Sequence, residues 1–183
     1  VSVAIKLADK LDIRPLSLAS LERKAGPTTD RALEWLDGAG GGPFFLWVHY
    51  FDPHGPYEPP EPFAERFAAE PPQGAYAGEV AYMDSELGRL LRRLERVELS
   101  QSTAVVVTAD HGESLGEHGY FGHSFRLYES STAVPLIIKL PGQTRSERHA
   151  EAVTLLDIAP TLLELAGLET PGQMMGQSLV PLL

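Results

Sequence analysis

The stretch VVVTADHGESLGEHGYFGHS, residues 105–124, places polar residues and glycines directly after an apolar run. The valines and the threonine at its start are typical of a buried β-strand, and Asp110 and His111 follow at the end of that strand. His118 and His123 come next, in a segment that contains four glycines. Because polar side chains at the tip of a buried strand commonly belong to a ligand or catalytic site, this stretch predicts such a site.

Two further apolar runs predict strands of the same sheet. They are PFFLWVHY at residues 43–50 and AVPLIIKLP at residues 133–141. All three runs are apolar without alternation, which is typical of strands that are covered on both faces. A proline-rich loop with His54 follows the first of these runs, so a second polar segment also lies at a strand end.

Three amphipathic segments predict helices. The segment TTDRALEWLDGAGGG (28–42) is expected to begin at a cap on Thr28 or Thr29 and to end at its glycines. The strongest helical period covers about residues 76–97, and the last helix lies within VTLLDIAPTLLELAGL (153–168), where a proline fits the first turn. The predicted apolar stripe of the long helix consists of Val80, Asp84, Leu87, Leu91 and Leu94.

Apolar strands that alternate with helices predict an α/β fold, with a mainly parallel sheet and helices on both faces. We expect a single α/β domain over residues 1–183, in which residues 1–27 give no clear element and Pro15 interrupts any helix. The first residues include neither an initiator methionine nor the apolar core of a signal peptide. We therefore expect a fragment that is incomplete at its N-terminus.

The composition excludes several classes of function. The chain has no cysteine, so disulfides, thiolate metal sites and a cysteine nucleophile are excluded within these residues. The net charge of −10 argues against a nucleic-acid-binding surface. No apolar run approaches the roughly 18 residues of a membrane-spanning helix, so no membrane span is predicted. An anionic substrate would need a metal ion or local donors such as the histidines.

Asp110 and His111 are candidate metal ligands. A carboxylate and an imidazole that are adjacent at a strand end can supply two donors to one cation, and Gly112 permits the turn that this requires. The alternative is that Asp110 caps a helix and that His111 is simply exposed. Both alternatives remain open from these residues, and a metal ion would need further ligands from elsewhere in the protein.

His54 lies between two prolines, which restrict the backbone of its loop. Its imidazole could donate to an oxyanion or protonate a leaving group, and the alternative is an ordinary surface histidine. His118, His123 and Arg126 could each act as a cation toward an anionic substrate.

Four other polar residues are expected to have structural roles. We expect His49 to be a core histidine within its strand and Asp84 to bond nearby groups. Glu113 and Glu117 are expected to cap a helix or bind water, because an acid beside an anionic substrate would repel it.

Taken together, the ordered segments resemble the sulfatase family of the alkaline phosphatase superfamily. The resemblance covers nearly everything from about residue 28 onward and includes PFFLWVHYFDPHGPYEPP, TAVVVTADHGESLGEHGYFGHSFRLYES and VTLLDIAPTLLELAGL. It implies an alkaline phosphatase-like fold and hydrolysis of a sulfate ester, in a small molecule or a glycan, with a divalent metal ion. The expected metal ion is Ca²⁺, while an imidazole ligand leaves Mn²⁺ or Zn²⁺ open.

The resemblance also implies roles for individual residues. Asp110 and His111 would be metal ligands, and His54 would contact the sulfate or the leaving group. His123 would act in a similar way, and Arg126 remains a further candidate for binding the substrate. Many members of the family are periplasmic or secreted, but this sequence itself leaves the location open.

The chain departs from the family in lacking a nucleophile. The family uses a formylglycine, made from the first residue of a Cys/Ser-x-Pro-Ser/Ala-Arg motif, and this motif is absent here, as is an N-terminal pair of metal-binding aspartates. We expect both to lie upstream and expect this fragment to be inactive alone. The alternatives are a phosphonate monoester or phosphodiester hydrolase of the same superfamily and a non-catalytic anion-binding module.

Overall fold

The computed structural model describes most of the chain, namely residues 2–5, 23–40, 42–69, 73–96, 98–123 and 125–183. Contacts divide the chain into two compact units, Val1–Pro141 and Gly142–Leu183. The expectation about Pro15 lies outside the described residues. Among the helices of the described ranges, none combines the length and apolar character that a membrane crossing requires.

The first unit is built on a four-stranded sheet. Its strands are β1 (Ser2–Ile5), β2 (Leu46–His49), β3 (Val105–Thr108) and, after two short strands, β6 (Leu136–Lys139), in the spatial order β2-β1-β3-β6. The short strands β4 (Ser114–Leu115) and β5 (Phe121–Gly122) form a separate antiparallel hairpin between β3 and β6 in the chain.

The strand directions correct the expectation of a mainly parallel sheet. β1 lies between β2 and β3 and runs opposite to both, and β6 runs opposite to β3. An apolar run indicates that a strand is covered, but it does not determine the direction of the strand. β2 and β3 still run in the same direction, and Ser2 pairs with both His49 and Thr108. The carboxyl ends of β2 and β3 therefore lie at one edge of the sheet, as the α/β prediction requires.

The helices α1 (Ala25–Gly38) and α3 (Gln73–Arg96) pack together against one face of the sheet. Phe45 and Trp47, whose side chains alternate to the other face, are 54% and 51% exposed. The expected helices on both faces are therefore not found over β2 in the described residues, although the α/β class is confirmed. The buried core consists of Ala25, Ala32, Leu36, Val48, Tyr50, Met83, Leu87, Leu90 and Leu94.

Helix α1 begins at Ala25, ahead of Thr28 and Thr29, so neither threonine is its N-cap. Pro27 is compatible with this earlier start, because the first helical turn needs no backbone N–H donor. Thr29 is fully buried, and its hydroxyl lies 2.9 Å from the hydroxyl of Tyr50. A threonine that resembles a cap in the sequence therefore connects α1 to the residue that follows β2.

The buried face of helix α3 shares only Leu87 and Leu94 with the predicted stripe. Asp84 is exposed, so it does not belong to the buried face. Gly78 allows the helix to approach the loop after β2 closely, since an added Cβ would lie 2.8 Å from Cγ of Pro59. The buried residues of the helix are Gly74, Gly78, Glu79, Met83, Glu86, Leu87, Leu90 and Leu94.

Three shorter α-helices are also present among the described residues, namely α2 (Phe63–Arg66), α4 (Glu129–Thr132) and α5 (Ile158–Leu165). Pro160 lies in the first turn of α5, as predicted. In the second unit, Asp157 accepts hydrogen bonds from the backbone N–H groups of Thr154 and Gln177, each at 2.8 Å. This buried aspartate therefore holds the start of α5 and the C-terminal segment together.

Candidate active site

Three histidines come together near the edge of the sheet where β2 and β3 end. His54 lies in the loop after β2, His111 follows β3, and His123 follows β5. The rings of His111 and His123 are stacked, with their centroids 4.0 Å apart, and the centroids of His54 and His123 are 5.6 Å apart. All three are among the site residues expected from the sequence, and the structure places them in one cluster.

The three imidazoles share one hydrogen-bonding pattern. Nδ1 of His54 donates to the carbonyl of Gly55 at 2.8 Å, and Nδ1 of His111 donates to the carbonyl of Gly112 at 2.9 Å. Nδ1 of His123 lies 3.1 Å from a carboxylate oxygen of Glu113. Since carbonyl and carboxylate oxygens only accept, each Nδ1 carries its proton. Each Nε2 is then the ring atom available to a substrate or a metal ion.

Glu113 corrects the expectation that it caps a helix or binds water. Its carboxylate is 8% exposed and accepts hydrogen bonds from Nδ1 of His123 and from the hydroxyl of Tyr57, the latter at 2.9 Å. Burial and the bond to Glu113 raise the pKa of Tyr57, so its hydroxyl remains a donor at neutral pH. Glu113 therefore orients the ring of His123.

Two buried acids that the sequence did not indicate lie near His54, namely Asp52 in the same loop and Glu79 on α3. Asp52 is 3% exposed and Glu79 is 1% exposed. Nζ of Lys24 lies 2.9 Å from an oxygen of Glu79 and 3.8 Å from Oδ1 of Asp52. The predicted stripe of α3 contained Val80, whereas the helix buries its neighbour Glu79. Because the prediction was one residue out of phase here, it missed the burial of Glu79.

Asp52 is the less satisfied of these two acids. Neither of its carboxylate oxygens has a hydrogen-bond partner in the described part of the chain. Burial raises the pKa of Asp52, and the nearby charge of Glu79 adds to this effect, while Lys24 opposes it. The nearby backbone N–H groups of Asp52 and Ala25 act in the opposite direction and lower the pKa of this carboxyl group, although their geometry falls short of a hydrogen bond.

Asp110 and His111 offer two ligand atoms side by side. Nε2 of His111 lies 3.9 Å from Oδ1 of Asp110, and both side chains are substantially exposed. Burial acts against ionisation of Asp110, but His111 and the backbone N–H groups outweigh it and lower the pKa of Asp110. A carboxylate with a nearby imidazole nitrogen fits two ligands of a divalent cation. No group of three or more potential ligands occurs within the described ranges, so further ligands are needed.

The structure gives other candidate residues different surroundings. Arg126 is exposed, and no contact joins it to the three histidines in the described part of the chain, so its role stays a prediction. His118 stacks on Tyr128, with ring centroids 4.4 Å apart. His49 is exposed, which corrects its assignment to the core, because alternation in β2 buries Val48 and Tyr50 instead. Glu117 accepts a local hydrogen bond from the backbone N–H of Leu115.

Comparison with known proteins places the chain in a family. Residues 15–168 match the family model of the sulfatases. The chain belongs to the sulfatase family. Members of this family employ a divalent metal ion in general.

Individual relatives support the family assignment over different parts of the sulfatase chain. An N-acetylglucosamine-6-O-sulfatase from Bacteroides thetaiotaomicron is 39% identical over 109 residues, which are 59% of this chain and 19% of the relative. Arylsulfatase K from Canis lupus familiaris is 37% identical over 107 residues, which are 58% of this chain and 20% of the relative. The chain thus spans about a fifth of the length of these curated relatives.

Solved structures confirm the alkaline phosphatase-like α/β fold of the sulfatase chain. The phosphonate monoester hydrolase from Silicibacter pomeroyi superposes with a TM-score of 0.77 at 25% identity, over 88% of this chain and 42% of that structure. The prediction of the fold family is therefore correct, even though the strand directions in the described sheet differ from those expected.

Proposed function

We propose that the protein containing this chain hydrolyses sulfate esters, with His54 and His123 contacting the ester. The observation that carries the proposal is the cluster of His54, His111 and His123 near the edge where β2 and β3 end, in a chain of the sulfatase family. A sulfate ester presents negatively charged oxygens and a departing alkoxide. Imidazole N–H groups are suitable donors to both of these.

His54 and His123 are proposed to act through Nε2. Hydrolysis breaks the bond between sulfur and the ester oxygen, and that oxygen leaves as an alkoxide that needs a proton. An imidazolium Nε2–H at either residue can supply this proton or donate to the sulfate oxygens. The Nδ1 atom is already committed to Gly55 in one case and to Glu113 in the other, which leaves the Nε2 atom for the reaction.

Asp110 and His111 are proposed to hold a divalent cation together with ligands from other parts of the protein. When bound, the cation supplies positive charge that polarises the sulfate group. Ca²⁺ is the proposed ion, and the imidazole of His111 is also compatible with Mn²⁺ or Zn²⁺. The nucleophile is proposed to be a formylglycine in sequence beyond these residues, since the chain has neither a cysteine nor a Ser-x-Pro-Ser/Ala-Arg stretch.

The proposed substrate is a small-molecule or glycan sulfate ester. The two curated relatives support this class, because one is named as an N-acetylglucosamine-6-O-sulfatase and the other as an arylsulfatase. A second candidate function is hydrolysis of a phosphonate monoester. It is supported by the similarity in structure to the hydrolase from Silicibacter pomeroyi.

A panel of esters tests the proposal. The protein encoded by the complete gene should be assayed with 4-nitrophenyl sulfate, N-acetylglucosamine 6-sulfate and a phenyl phosphonate monoester in the presence of Ca²⁺. We expect kcat/KM to be highest for a sulfate ester and activity to be lost with EDTA. His54→Ala should lower kcat about 100-fold or more, as for the loss of a general acid. His149→Ala is the control, since His149 pairs with Glu151 and is not one of the three clustered histidines.

Two results would contradict sulfate ester hydrolysis. Turnover of the phosphonate alone would favour the second candidate. No turnover of any ester, combined with binding of inorganic sulfate in calorimetry, would favour a non-catalytic anion-binding module.

A further inference from the structure

We propose that Glu79 is a positioning residue that clamps the loop of His54 onto helix α3. The proposal rests on the proposed function only for its kinetic consequence. The clamp itself is a set of contacts that can be tested without catalysis. Glu79 is expected to act through the backbone of the loop and not by touching the substrate.

Both carboxylate oxygens of Glu79 bind the loop. Oε2 accepts a hydrogen bond from the backbone N–H of His54 at 3.2 Å, and Oε1 accepts one from the backbone N–H of Glu58 at 2.8 Å. One side chain on α3 therefore holds the loop at two positions that are four residues apart. Both hydrogen bonds are partly buried and their acceptor Glu79 is 1% exposed, so loss of either acceptor is costly.

Lys24 completes the clamp from the start of α1. Its ammonium group donates to Oε1 of Glu79 at 2.9 Å and to the carbonyl of Glu58 at 3.1 Å. The charge of the buried carboxylate is thus balanced by a cation and by two N–H donors. A buried charge with this set of partners is stable, whereas an unpaired one is not.

The surrounding contacts reinforce the same loop. The prolines beside His54 restrict its backbone, and its ring lies 4.4 Å from that of Phe51. One residue from Glu79, Gly78 lies against Pro59 so closely that a Cβ would have no room. The loop is therefore attached to α3 at both ends of the segment 54–59, at His54 through Glu79 and at Pro59 through Gly78. Small displacements of a positioned catalytic group are known to cause large losses in rate.

Glu79→Gln tests the clamp. The amide offers one acceptor oxygen in place of two, and its NH₂ group would face one of the loop N–H donors. We expect faster hydrogen exchange in the peptide that covers residues 50–58. If the proposed function holds, we also expect kcat for the sulfate ester to fall about 10- to 100-fold with little change in KM.

Glu86→Gln is the matched control. Glu86 is a buried glutamate on the same helix, but its partner is Arg89 and not the loop. The clamp would be supported if Glu86→Gln loses thermal stability while its kcat and the hydrogen exchange of residues 50–58 stay near the wild-type values. Equal changes in both variants, or unchanged exchange in Glu79→Gln, would overturn it.

Lys24→Gln provides a second variant in case Glu79→Gln does not fold. Lys24 is 47% exposed, so its replacement leaves the core intact. We expect faster exchange of the amide of Glu58, and unchanged exchange there would count against the clamp. The exchange measurements stand even if the wild-type protein turns over no sulfate ester, so failure of the proposed function is distinguishable from failure of this inference.

Discussion

Replacing Glu113 by alanine removes the acceptor that orients the ring of His123. The carboxylate is almost fully buried and serves two donors, Nδ1 of His123 and the hydroxyl of Tyr57. Alanine leaves both donors without their partner, and water has little access to replace it. We expect the ring of His123 to lose its fixed tautomer and orientation, with its Nε2 no longer held in place.

The size of the effect follows from the hydrogen bond that is lost. A hydrogen bond to a charged acceptor contributes about 1.5–3 kcal/mol. If this bond is needed in the transition state, its loss corresponds to a decrease of about 10- to 150-fold in kcat/KM. Glu113→Gln should lose less, because one amide oxygen can still accept from His123 while the NH₂ group donates to Tyr57.

Steady-state kinetics of Glu113→Ala, Glu113→Gln and Tyr57→Phe on the preferred sulfate ester measure the effect. Tyr57→Phe removes the other partner of the same carboxylate and leaves the bond to His123, so we expect a change of only a few-fold. The order alanine, glutamine, phenylalanine, from most to least affected, is the expected result. A Tyr57→Phe loss as large as that of Glu113→Ala would refute the role of Glu113 in orienting His123.

Two further predictions concern stability. Asp52→Asn should raise the free energy of unfolding by about 1–3 kcal/mol at pH 7–8, by removing a buried charge without hydrogen bonds. The pKa of Asp52 in the folded protein lies above the unfolded value of 3.8. The stability of the wild-type protein therefore falls as the pH rises through the folded pKa, and the advantage of Asp52→Asn should vanish near pH 4. A melting temperature of the variant below that of the wild type at pH 8 would argue against this. Gly112→Ala should cost about 1–3 kcal/mol in chemical denaturation, because its Cβ would lie 2.2 Å from the backbone oxygen of Ser130. Gly38→Ala is the control, with open space around its Cα, and equal stability of the two variants would contradict the steric argument.

Much of the candidate site could be predicted from residues that are close in sequence. Asp110 and His111 follow an apolar strand, and His54 follows another, so their placement at strand ends depends only on local pattern. The class of the fold and the family followed from the order of the segments. Those features are properties of neighbouring residues. The structure then places His54, His111 and His123 in one cluster.

The supporting acids could not be predicted in this way. Glu113 and Tyr57 are separated by 56 positions, and Glu79 and His54 by 25, so no local pattern connects them. A glutamate on a helix is usually solvated, and only the packing of α3 against the loop after β2 shows that Glu79 is buried. The same holds for Thr29, which resembles a cap in the sequence and contacts Tyr50 in the structure.

The sequence by itself determined where β2, β3, β6 and the long helix α3 lie, which residues follow β2 and β3, and which family the chain resembles. These depend on periodicity and on the chemistry of adjacent residues. Only the tertiary structure decided the direction of β1 and β6, the packing of α1 and α3 against the sheet, and the partners of His54 and His123. Those depend on which distant segments pack together, because burial and hydrogen-bond partners are set by the surfaces that meet when the chain folds.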